Sequence, residues 1–203
     1  MKSKTIYLLR HGETDFNKKG MVQGRGVNAS LNDTGREQAK KAGNVFSKTQ
    51  LDLIYTSALV RTHETVAELN TNGAPIRSHE GFDEISWGSQ EGKEASYDAK
   101  NLYADTVNGW RRGELTLNVG GGESPIQVME RQRIAMEEVL ETGAESILIC
   151  MHGRAMRVLL CWLLNYPLNY MDGFPHNNCS YYVLENRDNS FTLKEFNQTR
   201  HLS

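Results

Sequence analysis

Cysteine is scarce in this sequence, and its three copies form no recognisable pair. Cys150, Cys161 and Cys179 lie among apolar or strand-like neighbours, and no two of them have the Cys-x-x-Cys spacing. This excludes a disulfide framework or a cysteine-based zinc site as the organising feature of the fold. We expect buried free thiols, which are usual for proteins of the reducing cytoplasm.

The sequence also lacks an excess of charge of one sign and a long hydrophobic run. Its net charge is −2 and its isoelectric point is about 6.3, whereas nucleic-acid-binding domains usually carry a basic stripe. The longest apolar stretch, residues 158–164, is too short to cross a membrane, and no secretory signal pattern stands at the N-terminus. We therefore expect no nucleic-acid partner, no membrane partner and a cytoplasmic location.

Internal repeats and low-complexity tracts are absent too, and short apolar runs alternate with helical patterns. Such alternation predicts a parallel sheet covered by helices on both faces. We therefore expect an α/β fold, a three-layer α/β/α sandwich with a mainly parallel central sheet, in one domain over residues 1–203. The predicted strands are residues 6–9, 51–55, 147–150, 181–185 and 191–196, the last two as a hairpin.

Capping residues indicate two helix starts. Thr34 with Glu37, and Ser124 with Gln127, have the spacing of a capping box, and Pro125 occupies the favoured first helical position. Further helices are predicted over residues 58–69 and 153–164. Residues 72–92 are expected to be mostly loop, and residues 93–118 are too weakly patterned for an element to be assigned.

The clearest chemical signal lies between Leu8 and Phe16. A short buried strand ends at Arg10-His11-Gly12, and helix-start residues follow it. Ligands of open α/β sheets bind at the carboxyl ends of the strands, so Arg10 and His11 stand where a ligand would lie. The planar guanidinium can hold a phosphate and the imidazole can attack phosphorus, which indicates phosphate chemistry. The alternative is an ordinary strand end with an idle histidine.

Five motifs, in order, resemble those of the histidine phosphatase superfamily, the phosphoglycerate-mutase-like proteins. The first is Arg10-His11-Gly12-Glu13-Thr14 with Asn17 and Gln23-Gly24, and the others lie at residues 57–65, 82–92, 121–124 and 150–153. The resemblance covers nearly the whole chain. It implies the compact phosphatase branch of the superfamily, with a lid or cap segment at about residues 86–120.

The resemblance implies a catalytic role for five residues. Arg10, Arg61 and a protonated His152 would hold the oxygens of a phosphoryl group. His11 would attack the phosphorus as a neutral imidazole, because an imidazolium has no free lone pair. Glu84 would protonate the leaving group and later take a proton from water, although only the motif selects it among the nearby acidic residues. No metal ion and no cofactor is implied.

Four further residues are expected to line the phosphate or substrate pocket: Asn17, Gln23, Gly24 and Gly153. The helix that begins at Gly153 would also direct free backbone N–H groups at the anion. The remaining histidines match no motif and are expected to be structural or surface residues, namely His63, His79, His176 and His201.

We favour a metal-independent phosphatase that acts on a small phosphomonoester through a phosphohistidine on His11. Mutase-type phosphoryl transfer is the alternative, but residues 85–120 carry four basic residues against five acidic ones and offer no obvious second anion site. A catalytically inactive protein that binds a phosphorylated ligand is the third hypothesis. The expected partner is a small phosphorylated substrate; its identity and the formation of a homodimer are left open.

Overall fold

A six-stranded sheet runs through the centre of the computed structural model, which describes residues 3–94 and 96–203. Its strands are β1 (Lys4–Arg10), β2 (Leu53–Thr56), β3 (Ile76–Ser78), β4 (Ser146–Met151), β5 (Tyr181–Arg187) and β6 (Ser190–Gln198). The strand order is β3-β2-β4-β1-β5-β6, with β1 to β4 mutually parallel and the β5–β6 hairpin antiparallel. The mainly parallel sheet is confirmed.

Helices cover both faces of this sheet. They are α1 (Asp15–Lys18), α2 (Asp33–Phe46), α3 (Val60–Leu69), α4 (Tyr97–Arg111), α5 (Pro125–Glu141) and α6 (Gly153–Leu163). In β4, Ile147 and Ile149 pack into the cluster that contains α5 and α6, whereas Leu148 and Cys150 pack into the cluster that contains α2 and α3. Successive residues of β4 are therefore buried on opposite faces, which explains its continuous apolar run. The α/β/α layering is confirmed.

The helix starts follow the sequence expectation in one case and depart from it in another. Ser124 caps α5 as expected. Its side chain accepts from the backbone N–H of Gln127, and the Gln127 side chain accepts from the backbone N–H of Ser124. The capping box expected at Thr34 is wrong, because Asn32 caps α2 one residue before Asp33 and accepts from the backbone of Gly35. Asparagine is among the strongest N-cap residues, so the helix begins earlier.

Residues 89–119, which we call the excursion, form a long connection whose two ends lie side by side. The two chain segments that meet there, residues 86–88 and 120–123, form its neck. Gly120 O accepts from Ser89 N at 2.9 Å, and Ser86 O accepts from Glu123 N at 2.8 Å. A Cβ on Gly122 would lie 2.1 Å from Ser86 O. The neck is therefore a close backbone crossing that glycine makes feasible.

Two elements lie where none had been assigned: α4 is within the excursion, and β3 lies on the edge of the sheet between residues 72 and 92. No helix within residues 3–94 or 96–203 has both the length and the apolar character needed to traverse a bilayer.

Candidate active site

Three neighbouring parallel strands deliver the predicted residues to one edge of the sheet. β1 ends at Arg10 and leads into His11, β4 ends just before His152, and α3, which follows β2, carries Arg61 in its first turn. The rings of His11 and His152 lie 5.0 Å apart between centroids, and Arg61 Nε lies 3.1 Å from His152 Nδ1. Residues far apart in sequence therefore meet at the carboxyl ends of the strands.

His11 is buried with one ring nitrogen engaged. Its Nδ1 lies 2.7 Å from the carbonyl oxygen of Gly12, so Nδ1–H donates there and the lone pair belongs to Nε2. No residue that the structure describes forms a hydrogen bond with Nε2. Burial, followed by the charges of Arg61 and Arg10, holds the pKa of His11 well below its ordinary value. At neutral pH this imidazole is uncharged, with a nucleophilic nitrogen available.

Arg10 supplies positive charge beside His11. Its Nη1 donates to His176 Nδ1 at 3.1 Å, whereas its Nε is buried without a partner among the described residues. Burial lowers the pKa of Arg10 to about 10, so the guanidinium still carries its charge at neutral pH. A buried unpaired donor costs free energy unless a ligand atom pairs with it. A phosphoryl oxygen would meet that requirement.

His152 is held as a neutral imidazole by both of its ring nitrogens. Arg61 Nε donates to Nδ1, so the proton lies on Nε2, which is 2.8 Å from Ser57 Oγ. Burial, followed by the charge of Arg61, keeps the pKa of His152 well below its ordinary value. Because a guanidinium donates to the nitrogen that would need the second proton, this geometry fits a neutral His152, and a protonated His152 beside a bound phosphoryl group stays a prediction.

Arg61 is fully buried and forms hydrogen bonds with both His152 and the loop of residues 24–27. Besides its bond to His152, its Nη1 donates to Val27 O at 2.7 Å and its Nη2 to Gly24 O at 3.2 Å. A guanidinium has five N–H groups, so these three contacts leave two without a described partner, although Arg61 does not line the cavity. Direct phosphate binding by Arg61 stays a prediction.

The carboxylate of Glu84 caps the N-terminus of α6. Its Oε2 accepts from Arg154 N at 3.1 Å, and its Oε1 accepts from Ala155 N at 2.8 Å and from its own neighbour Ile85 N at 2.9 Å. The helix that begins at Gly153 was expected to direct free backbone N–H groups at the substrate anion, but those of Arg154 and Ala155 donate to Glu84 and are not free. This contact places the carboxyl group beside Arg10 and Gly153 on one cavity wall.

Asn17, Gln23 and Gly24 contact neighbouring residues instead of lining the cavity. Asn17 Oδ1 accepts from Asn178 at 3.2 Å, Gln23 Oε1 accepts from the Thr14 hydroxyl at 3.1 Å, and the Gly24 carbonyl accepts from Arg61. Their role in substrate binding stays a prediction. Gly153 does line the cavity.

His176 belongs to the site, although it had been assigned to the structural or surface histidines. It lines the cavity, it accepts from Arg10, and a Cβ on Gly153 would lie 2.8 Å from its ring. Burial, followed by the charge of Arg10, lowers the pKa of His176 to about 3. It is therefore a neutral acceptor that orients Arg10. No motif surrounds it, so the sequence offered no signal for this role.

The cavity next to these groups has a volume of about 580 Å³, which suits a small ligand. Its walls come from the strand end at Arg10, from residues 87–94 and 99–103 and from the first turns of α6. The described residues that line it include Arg10, Glu84, Trp87, Lys93, Glu94, Lys100, Tyr103, Gly153, Arg154, Arg157 and His176.

An ion-pair cluster joins the excursion to α6. Asp172 accepts from Arg111 of α4 at 3.0 Å, from Arg154 at 2.7 Å and from Arg157 at 3.0 Å. Arg154 also donates to the hydroxyl of Tyr103 in α4 at 3.3 Å. Burial alone would lower the pKa of Arg154, but Tyr103 and Asp172 outweigh burial and raise it. Arg154 therefore remains charged in a partly enclosed position.

Known proteins share this sequence pattern and this architecture. A family model described as histidine phosphatase superfamily (branch 1) matches residues 6–199. Phosphoserine phosphatase 1 of Hydrogenobacter thermophilus is 28% identical over 199 residues, covering 97% of this chain and 93% of that protein. A 2,3-bisphosphoglycerate-dependent phosphoglycerate mutase of Parvibaculum lavamentivorans is 30% identical over 169 residues, covering 78% and 79%. The solved structure of mycobacterial glucosyl-3-phosphoglycerate phosphatase with VO3 aligns with a TM-score of 0.86 and 27% identity, covering 97% of this chain and 100% of that one.

Proposed function

The chain belongs to the histidine phosphatase superfamily, and from that premise we propose that it hydrolyses a small phosphomonoester through a phosphohistidine on His11. One observation carries the proposal: a buried neutral His11 with an unengaged Nε2 lies beside Arg10, whose buried Nε lacks a partner in the described structure. The first group is a nucleophile and the second is a cationic donor, which are the two things that phosphoryl transfer requires.

In the first step, Nε2 of His11 attacks the phosphorus and the bond from phosphorus to the ester oxygen breaks. Arg10 and the remaining N–H groups of Arg61 hold the equatorial oxygens as charge develops on them. Glu84, in its protonated form, gives its proton to the departing alkoxide. The alcohol leaves, and the phosphoryl group stays on His11.

In the second step, water attacks the phosphohistidine. The Glu84 carboxylate takes the proton from the water, the bond between phosphorus and Nε2 breaks, and inorganic phosphate leaves. The bond from Nδ1–H to the Gly12 carbonyl keeps the proton on the far nitrogen, so Nε2 recovers its lone pair. Each step uses only side chains of this protein and water.

Mutase-type transfer is the second candidate, and the mutase relative from Parvibaculum lavamentivorans supports it. Hydrolysis is favoured because the match to the phosphoserine phosphatase covers 97% of this chain and 93% of that protein, whereas the match to the mutase covers 78% and 79%. Incubation with 3-phosphoglycerate and 2,3-bisphosphoglycerate separates the two. A mutase forms 2-phosphoglycerate, and a phosphatase releases inorganic phosphate.

For the compartment we propose the cytoplasm. All three cysteines lie within the described residues and are free and buried, which suits a reducing environment. A small phosphorylated molecule is the proposed partner.

The test of this function is phosphate release from p-nitrophenyl phosphate in excess EDTA, by the unaltered protein, His11→Ala and His63→Ala. His63 is exposed and serves as the matched control. We expect activity in the unaltered protein and in the control and none in His11→Ala. An alkaline quench should trap the unaltered protein one phosphoryl group heavier. Activity that survives in His11→Ala contradicts the mechanism. Silence from all three proteins leaves a narrow phosphatase, a mutase or an inactive binder, which the incubation with 3-phosphoglycerate and 2,3-bisphosphoglycerate then separates.

A further inference from the structure

Of the five sequence motifs, the one at residues 121–124 contributes no group to the two proposed chemical steps. Its glutamate, Glu123, nevertheless binds the backbone of Ser86 in both directions. Glu123 Oε2 accepts from Ser86 N at 2.8 Å, and Glu123 N donates to Ser86 O at 2.8 Å. Because Ser86 follows Glu84 closely in the chain, Glu123 fixes the backbone just beyond the proposed general acid.

Arg131 of α5 holds the same segment of backbone. Its Nη1 donates to Gly81 O at 2.9 Å, and its Nη2 donates to Glu84 O at 3.1 Å. The segment lies directly against the helix there, because a Cβ on Gly81 would lie 2.8 Å from the carbonyl oxygen of Arg131. Residues 81–86, which we call the acid loop, are thus bound at both ends and at Glu84 itself.

A bidentate ion pair joins the two residues that hold the acid loop. Arg131 Nε donates to Glu123 Oε1 at 2.9 Å, and Arg131 Nη2 donates to Glu123 Oε2 at 3.1 Å. Both side chains are largely buried, with exposed fractions of 16% and 17%. Burial alone would raise the pKa of Glu123, but the hydrogen bond and the charge of Arg131 outweigh burial and lower it. Two parallel bonds between planar groups fix their orientation more closely than one contact would.

These bonds reach backbone atoms of the acid loop, whereas the carboxyl group of Glu84 has partners of its own. As a carboxylate it accepts from Arg154 N and Ala155 N. In the proposed mechanism it alternates with the protonated form, whose hydroxyl is a donor, so those bonds change in each cycle. The bond from Arg131 to Glu84 O does not involve the titrating group. The acid loop therefore has a support that is independent of the charge on Glu84.

We propose that Arg131 and Glu123 are positioning residues for Glu84, which hold the acid loop so that its carboxyl group meets the oxygen of the leaving group. This inference rests on the proposed function and adds two residues to its general-acid step. Proton transfer requires a donor within hydrogen-bond reach of that oxygen, and a displacement of about 1 Å can cost about 10²-fold in rate. Loosening the support should therefore weaken protonation of the leaving group and leave the attack by His11 intact.

Two aryl esters of similar size test this role, because they differ mainly in the basicity of the leaving group. Phenyl phosphate releases a more basic oxygen than p-nitrophenyl phosphate and so depends more on a general acid. The ester ratio, which is kcat/KM for p-nitrophenyl phosphate divided by kcat/KM for phenyl phosphate, is measured in the unaltered protein, Arg131→Gln, Glu123→Gln and Glu84→Gln. Arg133→Gln and Glu137→Gln are the matched controls, since these residues form an exposed ion pair on the same helix.

We expect Arg131→Gln to raise the ester ratio about tenfold and Glu123→Gln to raise it severalfold, through slower cleavage of phenyl phosphate. Glu84→Gln should raise it further, and both controls should keep the ratio of the unaltered protein. In the Glu84→Gln background, Arg131→Gln should not change the ratio again, because residues that act through one group have non-additive effects. A purely structural role for Arg131 would slow the cleavage of both esters alike.

Three results would overturn the positioning role: an ester ratio unchanged in Arg131→Gln and Glu123→Gln, a rise that is the same in the Glu84→Gln background, or no hydrolysis of phenyl phosphate by the unaltered protein. If Arg131→Gln does not fold, Glu123→Gln decides, because it keeps an amide oxygen for Ser86 N and removes only the negative charge. His11→Ala is assayed beside them with both esters. Release that depends on His11 leaves the proposed function standing when the positioning role fails, and release that does not depend on His11 refutes the function itself.

Discussion

The two histidines at the strand ends differ in which ring nitrogens are engaged. His11 donates from Nδ1 to the Gly12 carbonyl and keeps an unengaged lone pair on Nε2. His152 accepts at Nδ1 from Arg61 and directs Nε2 at the Ser57 hydroxyl, so both of its nitrogens are occupied. The resemblance assigned the attack on phosphorus to His11, and the hydrogen bonds agree with that choice, because of the two histidines only His11 keeps an unengaged lone pair.

Replacing Glu84 by glutamine should slow hydrolysis more for substrates whose leaving group must be protonated as it departs. An alkyl phosphate should lose about 10²–10⁴-fold in kcat/KM, the usual contribution of a general acid. p-Nitrophenyl phosphate should lose much less in kcat/KM, because its leaving group departs without protonation. The kcat/KM of Glu84→Gln for both substrates provides the check, because it does not include the later hydrolysis of the phosphohistidine, in which Glu84 also acts.

Glu130→Gln, an exposed carboxylate on α5, is the matched control for that measurement and should retain both activities. An equal loss for both substrates in Glu84→Gln would show that Glu84 has a role other than general acid.

Most of the regular elements that sequence patterns predicted well are buried, although β6, which is largely exposed, was also predicted. β1, β4, α5 and α6 pack into the core and have continuous apolar runs or clear caps, so their periodic signals are strong. β3 has three exposed residues, and α4 buries four, all near its C-terminal end. With so few buried positions, neither element shows a periodic pattern of apolar residues in the sequence. Tertiary contacts hold both in place.

In the candidate site, too, some residues could be predicted from local sequence and others could not. The residues at the strand ends follow from local motifs, whereas His176 and Arg154 join the site through contacts across the fold. His176 binds Arg10 from 166 positions away, and Arg154 binds Asp172 and Tyr103. The count of charges in residues 85–120 missed Arg154 and Arg157 on the cavity wall because both belong to α6.

Gly122→Ala should weaken the neck of the excursion. The added Cβ would lie 2.1 Å from the carbonyl oxygen of Ser86, a backbone atom, so the two crossing segments must separate. We expect a loss of about 1–3 kcal/mol in the free energy of unfolding, typical of overpacking, together with reduced activity because Ser86 lies close to Glu84. Urea denaturation and the p-nitrophenyl phosphate assay provide the two readouts.

Gly143→Ala is the companion variant, because no described atom lies within 4 Å of the Cβ it would add. Its free energy of unfolding should change by less than about 0.5 kcal/mol, as at ordinary surface sites. Equal effects of the two variants would mean that the crossing at the neck tolerates a methyl group.

For the molecule as a whole, the site concentrates buried imidazoles that stay uncharged beside guanidinium groups. His11, His152 and His176 all have a pKa below the ordinary value, in each case chiefly through burial. The unfolded chain releases the three rings into water, where they bind protons at a higher pH. Folding therefore opposes protonation at three places in one site.

Acid should destabilise the protein accordingly. Once the pH falls below about 6.5, the unfolded state binds more protons than the folded state, so each of these histidines lowers the free energy of unfolding by up to about 1.4 kcal/mol per pH unit. For His176 this continues down to its folded pKa of about 3. The slope of unfolding free energy against pH, taken from urea denaturation, should be smaller in His176→Gln than in the unaltered protein. Identical slopes would show that His176 does not resist protonation.

The neck bears on how the substrate specificity of this fold can change between related proteins. Because the excursion departs and returns at hydrogen-bonded neighbours, residues 86–88 and 120–123, its ends occupy fixed positions whatever lies between them. A segment with adjacent ends can be exchanged when its replacement restores its contacts with the body, which here are the core contacts of Val107, Trp110 and Val119. A related protein could therefore acquire a different substrate specificity by exchanging the segment between the two halves of the neck, while the residues at the strand ends stay the same.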